Sequence, residues 1–197
     1  IAAVLNFAAA STGTAGTLTV TPIPSPAGAP SGEPNLTRDE ARNVYLSWIE
    51  KKAKGGHELR YARYENAGRG TRSGGWSQSQ VIASGDNWFV NWADFPAIAV
   101  SSRGSILTGW LQKSAKDTYA YDIRLVYSRD GAEWSAPFPV YGDTSKTEHG
   151  FVSMAGLHEG EFAVVWLDGR EMTGEEGPMT LRFARVDSAG DVHNETL

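Results

Sequence analysis

Ile106-Leu107-Thr108-Gly109-Trp110-Leu111, followed after a polar stretch by Ile123-Arg124-Leu125-Val126-Tyr127, decides the architecture of this chain. Both runs are short, rich in β-branched and aromatic residues, and patterned as half-buried strands. The same pair stands on either side. Upstream, Val44-Tyr45-Leu46-Ser47-Trp48-Ile49 precedes Leu59-Arg60-Tyr61-Ala62-Arg63; downstream, Phe162-Ala163-Val164-Val165-Trp166-Leu167 precedes Leu181-Arg182-Phe183-Ala184-Arg185. The three tryptophans lie 62 and then 56 positions apart, and each second run opens on hydrophobic-Arg-hydrophobic. A pattern that returns at such a period marks a repeat architecture, in which each copy is one supersecondary unit.

Working outward, a shorter apolar run precedes the later tryptophan strands, as in Pro96-Ala97-Ile98-Ala99-Val100 and Phe151-Val152-Ser153-Met154. Trp76-Ser77 and Trp134-Ser135 follow the arginine strands of the first two units, each leading into a further strand candidate. Four strands per unit, A to D, predict an all-β chain of four-stranded antiparallel β-propeller blades. The boundaries fall at about 33–85, 94–141 and 148–197. Three blades are about half of a six-bladed ring, and their open edges would call for further blades from a longer chain or a second copy. A fourth strand of the last blade is due where the sequence reaches Asn194 to Leu197. Residues 1–32 read as a lead-in: five of the nine prolines fall between Thr21 and Pro34, and Thr17 to Thr21 alternates as a lone strand would.

Composition excludes several classes. Net charge is −5 and the 18 Lys and Arg residues are scattered, so no basic stripe exists for nucleic acid. There is no cysteine, hence neither disulfide nor thiolate chemistry. His57 and His149 lack partners at metal-ligand spacing, and neither a metal nor another cofactor is expected. The apolar start, Ile1 to Ala10, is too short to cross a membrane, which takes roughly 20 residues. Ala8-Ala9-Ala10-Ser11 fits the end of a signal peptide, which points to a secreted or periplasmic protein. Asn35-Leu36-Thr37 and Asn194-Glu195-Thr196 match the glycosylation sequon.

Tyr127-Ser128-Arg129-Asp130-Gly131-Ala132-Glu133-Trp134 joins strands C and D of the second unit. Here the Asp130 carboxylate can accept backbone N–H groups, Gly131 can take positive φ, and Trp134 can close the hairpin by packing inward, with Ser128 alongside. This stretch resembles the Asp box of sialidases and other Asp-box repeat proteins, although it lacks a second glycine and is one residue short. Corresponding turns are degenerate: Asn66 to Trp76 is expanded, and Asp187-Ser188-Ala189-Gly190 keeps an Asp and a Gly. The resemblance, to bacterial sialidase-like proteins above all, covers about Glu33 to the end.

In a four-stranded meander the B-to-C loops and D-to-A connections share one end, and the Asp box lies at the other. The resemblance implies that a site would lie at the loop end. Asp86-Asn87-Trp88-Phe89-Val90-Asn91-Trp92-Ala93-Asp94 and Asp143 with Glu148-His149 stand in the D-to-A connections. Glu50, His57, Asp117, Tyr119, Tyr121, Asp122 and Asp168-Gly169-Arg170-Glu171 stand at the B-to-C loops. Trp88, Trp92, His149, Asp168 and Glu171 are the candidate ligand-binding residues, because aromatic faces stack on pyranoses and carboxylates accept hydroxyl donors. The same tryptophans could instead pack a loop onto the strands.

In sialidases three arginines clamp the substrate carboxylate, a Tyr with a Glu partner attacks, and an Asp serves as acid and base. The resemblance therefore makes Asp94 or Asp86 the candidate acid/base and Arg170 the anion ligand. The family's Arg-Ile-Pro tripeptide is absent, and Arg60, Arg124 and Arg182 repeat so regularly that they belong to the architecture, packing across blades. Two functions follow: a propeller that binds a glycan or a protein at this end, or part of a secreted exo-sialidase whose active site needs further blades.

Overall fold

Alternating strands joined by turns leave every backbone donor and acceptor to be satisfied between strands. The structure, a computed structural model, describes residues 19–65, 74–172 and 176–197. Among the described residues the regular structure is β throughout, save a single 3-10 turn at His158–Gly160, and it forms three antiparallel sheets. Within the lead-in, Thr19 to Thr21 is not a strand, and Thr17, Leu18 and the signal-like residues lie outside the described range.

The first sheet runs β1 (Ser31–Arg38), β2 (Val44–Lys51), β3 (His57–Glu65), and then β4 (Gly75–Trp76) and β5 (Gln80–Gly85), both of which pair with β3. The second holds β6 (Ile98–Val100), β7 (Ile106–Lys113) and β8 (Tyr121–Ser128). It has three strands where four were expected. The fourth place is taken by an irregular segment in which Phe138 and Leu125 exchange backbone hydrogen bonds. Pro137 and Pro139 flank Phe138, and neither can donate to a ladder, so a regular strand cannot propagate there.

The third sheet is complete, in the order β9 (His149–Gly156), β10 (Phe162–Asp168), β11 (Thr180–Val186), β12 (Val192–Thr196). The strand due near the end of the sequence is thus present.

The repeat is visible in register. Trp48 faces Arg60, Trp110 faces Arg124, and Trp166 faces Arg182 across their strand pairs. All three tryptophans are buried, at 1%, 8% and 0% exposure. The sheets stack through their faces. Tyr45, Ile49, Leu59 and Tyr61 of the first share apolar clusters with Ile98, Ile106, Trp110 and Val126 of the second. The second sheet's other residues, Leu107, Leu111, Ile123 and Leu125, cluster with Phe162, Val164, Trp166 and Ala184 of the third.

A sheet covered on both faces explains why β7 is buried without a break from Ile106 to Leu111. Each fully buried Leu or Ile there contributes roughly 1.5–3 kcal/mol. The first strands β1, β6 and β9 neighbour one another in turn. At one such meeting a Cβ on Gly156 would stand 1.9 Å from the Val100 carbonyl oxygen, so only glycine fits.

Candidate functional site

The two ends of the sheets differ in chemistry. At the turn end the Asp130 carboxylate accepts the N–H groups of Ala132 (2.9 Å) and Glu133 (3.3 Å), which hold it below the usual carboxylate range. Ser128 Oγ accepts the Gly131 N–H at 2.8 Å, and Gly131 has φ +78°. Trp134 packs edge-on against Tyr61 of the first sheet, whose hydroxyl donates to the Gly131 carbonyl. The turn therefore also ties two sheets together. Asp187 repeats the device in the third sheet, accepting from Ala189 at 2.8 Å and Asp191 at 3.0 Å, while of the first-sheet counterpart, Asn66 to Trp76, residues 66–73 lie outside the described range.

At the loop end, backbone bonds join the connections to the strands. Lys113 N–H donates to Asn87 O, Tyr121 N–H to Thr147 O, and Gly169 N–H to Glu148 O. Of the eight candidates in these loops and connections three, Trp88, His149 and Asp168, are buried, and Asp86, Trp92 and Glu171 are exposed. Asp168 is fully buried; it accepts the Trp166 indole N–H at 2.8 Å, the Arg170 backbone N–H at 3.0 Å and both Nε (2.8 Å) and Nη2 (2.7 Å) of Arg170. Burial alone would raise its pKa, but the bonds from Arg170 and Trp166 outweigh that and hold it low.

Arg170 also meets Glu195 at 2.7 Å and lies over the Tyr141 ring, 5.7 Å from its centroid. The bond to Asp168 keeps its guanidinium firmly protonated. To clamp an anion, a guanidinium so engaged would have to loosen its bonds to Asp168 or Glu195. His149 is likewise fully buried, stacked on Tyr141 at 4.5 Å with Nε2 3.2 Å from Asp143 and 3.6 Å from Asp168. It is a packing residue and offers no surface to a ligand.

Trp88 is 8% exposed, sandwiched between His57 (6.5 Å) and Trp110 (5.0 Å). Buried to that degree, it packs its loop onto the sheet and offers little face to a sugar. Trp92, by contrast, is 86% exposed. Asp86 is exposed and pairs with Lys52 at 3.6 Å, and Glu171 is exposed and pairs with Arg182 at 3.1 Å. Asp94 accepts Asn91 Nδ2 at 2.8 Å and the Phe151 backbone N–H at 2.7 Å. That latch secures Phe151, a non-glycine residue at φ +51°. The repeated arginines sit within their own sheets and pair with their own acids: Arg60 with Glu50 and Glu58, Arg124 with Asp122, Arg182 with Glu171. The expected packing across sheets gives way to a charge row along each one.

Sequence reasoning named the residues of two further features without joining them. Tyr121 donates to Glu148 Oε1 at 2.6 Å, and Asp94 shares their surroundings: a Cβ on Gly150 would meet Asp94 Oδ1 at 3.0 Å and the Tyr121 hydroxyl at 3.2 Å. Tyr121 is 1% exposed and stacked on Phe89, and burial, then the bond to Glu148, pushes its phenol well above the ordinary value.

The second feature is a groove of about 770 Å³ between the loop 117–120, the connection 146–148 and Met172. Tyr119 projects into solvent there at 63% exposure. Tyr119 lies in a turn and Tyr121 opens β8, and nothing in the local sequence marks one as exposed and the other as buried. No group of His, Asp and Glu among the described residues is placed to hold a metal ion. No protein-family model matches this chain, and no curated protein matches it in sequence.

Proposed function

We propose that this chain is an arc of three blades of a sialidase-like, Asp-box β-propeller, and that its loop end binds a glycan without cleaving it. The groove carries the binding reading: an exposed aromatic ring at Tyr119 beside Glu148, Asp117 and Lys146 is the composition with which proteins hold sugars. The propeller reading is supported by the threefold Trp–Arg register, the Asp130 turn and the neighbouring first strands. Further blades, from a longer chain or a second copy, would complete a ring of four to eight. A glycan-binding role fits a secreted or periplasmic protein.

One observation favours a second reading, that the arc belongs to an exo-sialidase: the Tyr121–Glu148 hydrogen bond with Asp94 beside it. Against it stand the burial of the phenol and the engagement of Arg170 by Asp168 and Glu195. A glycan array and a fluorogenic sialoside assay on the purified chain separate the two. We expect array binding and no turnover. Turnover that Tyr121→Phe abolishes would replace binding with hydrolysis, and a silent array beside a captured protein ligand would reassign the groove.

A further inference from the structure

We infer that the groove takes an uncharged pyranoside and not a carboxylate-bearing sugar, an inference that rests on the glycan-binding reading above. A planar guanidinium is the side chain suited to clamp a carboxylate, and four arginines near the loop end are already paired with acids. Arg60 is held by Glu50 at 3.0 Å and Glu58 at 2.7 Å, and Arg124 by Asp122 at 3.0 Å. Arg170 is held by Asp168 and Glu195, each at 2.7 Å, and Arg182 by Glu171 at 3.1 Å. None of the four lines the groove. Freeing any of them would strand its acid, fully buried in the case of Asp168.

The groove lining itself repels anions. Its charged side chains are Asp117, Glu148 and Lys146, two acids to one base. Glu148 commits Oε1 to the Tyr121 hydroxyl, which fixes the carboxylate and leaves an acceptor for a sugar hydroxyl. A carboxylate accepts and cannot donate, so its natural partner is a hydroxyl and not another carboxylate. Lys146 then serves as a donor to a ring or hydroxyl oxygen. Tyr119 supplies a flat apolar face of the kind that stacks on the C–H side of a pyranose.

The site is also preorganised. Lys113 Nζ donates to the Asp117 and Thr118 carbonyls, and Ser114 N–H donates to Ala120 O, so the loop carrying Tyr119 is closed on itself. Tyr121 N–H and Gly169 N–H hold the opposite wall through Thr147 O and Glu148 O.

The test is saturation-transfer NMR and titration on the purified chain with four probes: methyl glucoside, methyl galactoside, methyl glucosaminide and a methyl sialoside. We expect transfer to ring protons of a neutral glycoside, with affinity reduced roughly three- to tenfold in Tyr119→Ala, the scale of one lost ring contact. Tyr119 is exposed, so circular dichroism of the variant should match the parent. Tighter binding of the sialoside or of the glucosaminide would overturn the inference while leaving the glycan-binding reading intact. Neutral binding that Tyr119→Ala leaves unchanged would overturn the assignment to this groove. Transfer to none of the four probes would overturn both readings.

Discussion

Trp166 in the third sheet and Trp110 in the second hold the same register position, each opposite an arginine, yet their indole N–H groups meet different fates. Trp166 donates to Asp168, which gathers Arg170 and has Arg182 at 3.8 Å. Two residues after Trp110 stands Gln112, and the Trp110 Nε1 has no hydrogen-bond partner among the described residues. Its ring is instead stacked on Trp88, carried in by the connection that bridges to Gln112. The first sheet follows the third, with Trp48 donating to Glu50 at 2.9 Å and Glu50 pairing with Arg60 at 3.0 Å. One register position is thus secured by a polar relay in two sheets and by an aromatic stack in the sheet covered on both faces. The repeat conserves a place in the fold and leaves the bonding that fills it free to change.

The largest test of that contrast is Asp168→Asn. It leaves Arg170 beside a neutral amide inside the protein, and should cost roughly 3–5 kcal/mol in chemical denaturation. Glu50→Gln, at a site still reached by water, should cost about 1 kcal/mol. Equal losses would break the distinction between a buried relay and a wetted one.

Acid sharpens it next. Asp168 and Asp143 are held below their ordinary pKa in the folded chain, so their contribution is present above the unfolded value and is lost as pH falls through the folded one. Stability of the parent should therefore drop below about pH 4. Asp168→Asn should flatten that slope, and an unchanged slope would assign acid sensitivity elsewhere.

The smallest effect is expected from Gln112→Glu. If the new carboxylate reaches the Trp110 N–H as Glu50 and Asp168 reach theirs, the gain is about 0.5–1.5 kcal/mol. Destabilisation would show that the stack excludes a charge.

Strands and their order were legible because period-two alternation and the spacing of Trp48, Trp110 and Trp166 depend on local pattern and chain count alone. The Asp130 turn was legible for the same reason: its donors lie within three residues of the carboxylate. Burial of the loop residues was not. Trp88 and Trp92 are four positions apart in one connection with similar neighbours, and only the stacking of Trp88 between His57 and Trp110 tells them apart. Asp168 and Arg170 looked like surface recognition chemistry because residue types do not reveal that Glu195, from the far strand, completes their neutralisation. The groove depends on three segments meeting, from positions 117 to 172, and no local window spans them.

Gly156 bears on how the chain can vary. With a carbonyl oxygen of the second sheet standing where a side chain would begin, the gap between β6 and β9 is gauged by a missing group. Neighbouring Ala155 is exposed and meets no such limit. In an exhaustive substitution library, position 156 should be a column with one surviving letter beside a permissive one. A stretch recovered from unrelated sequence data that matched the tryptophan and arginine pattern but carried a side chain at this position would have to hold its sheets further apart.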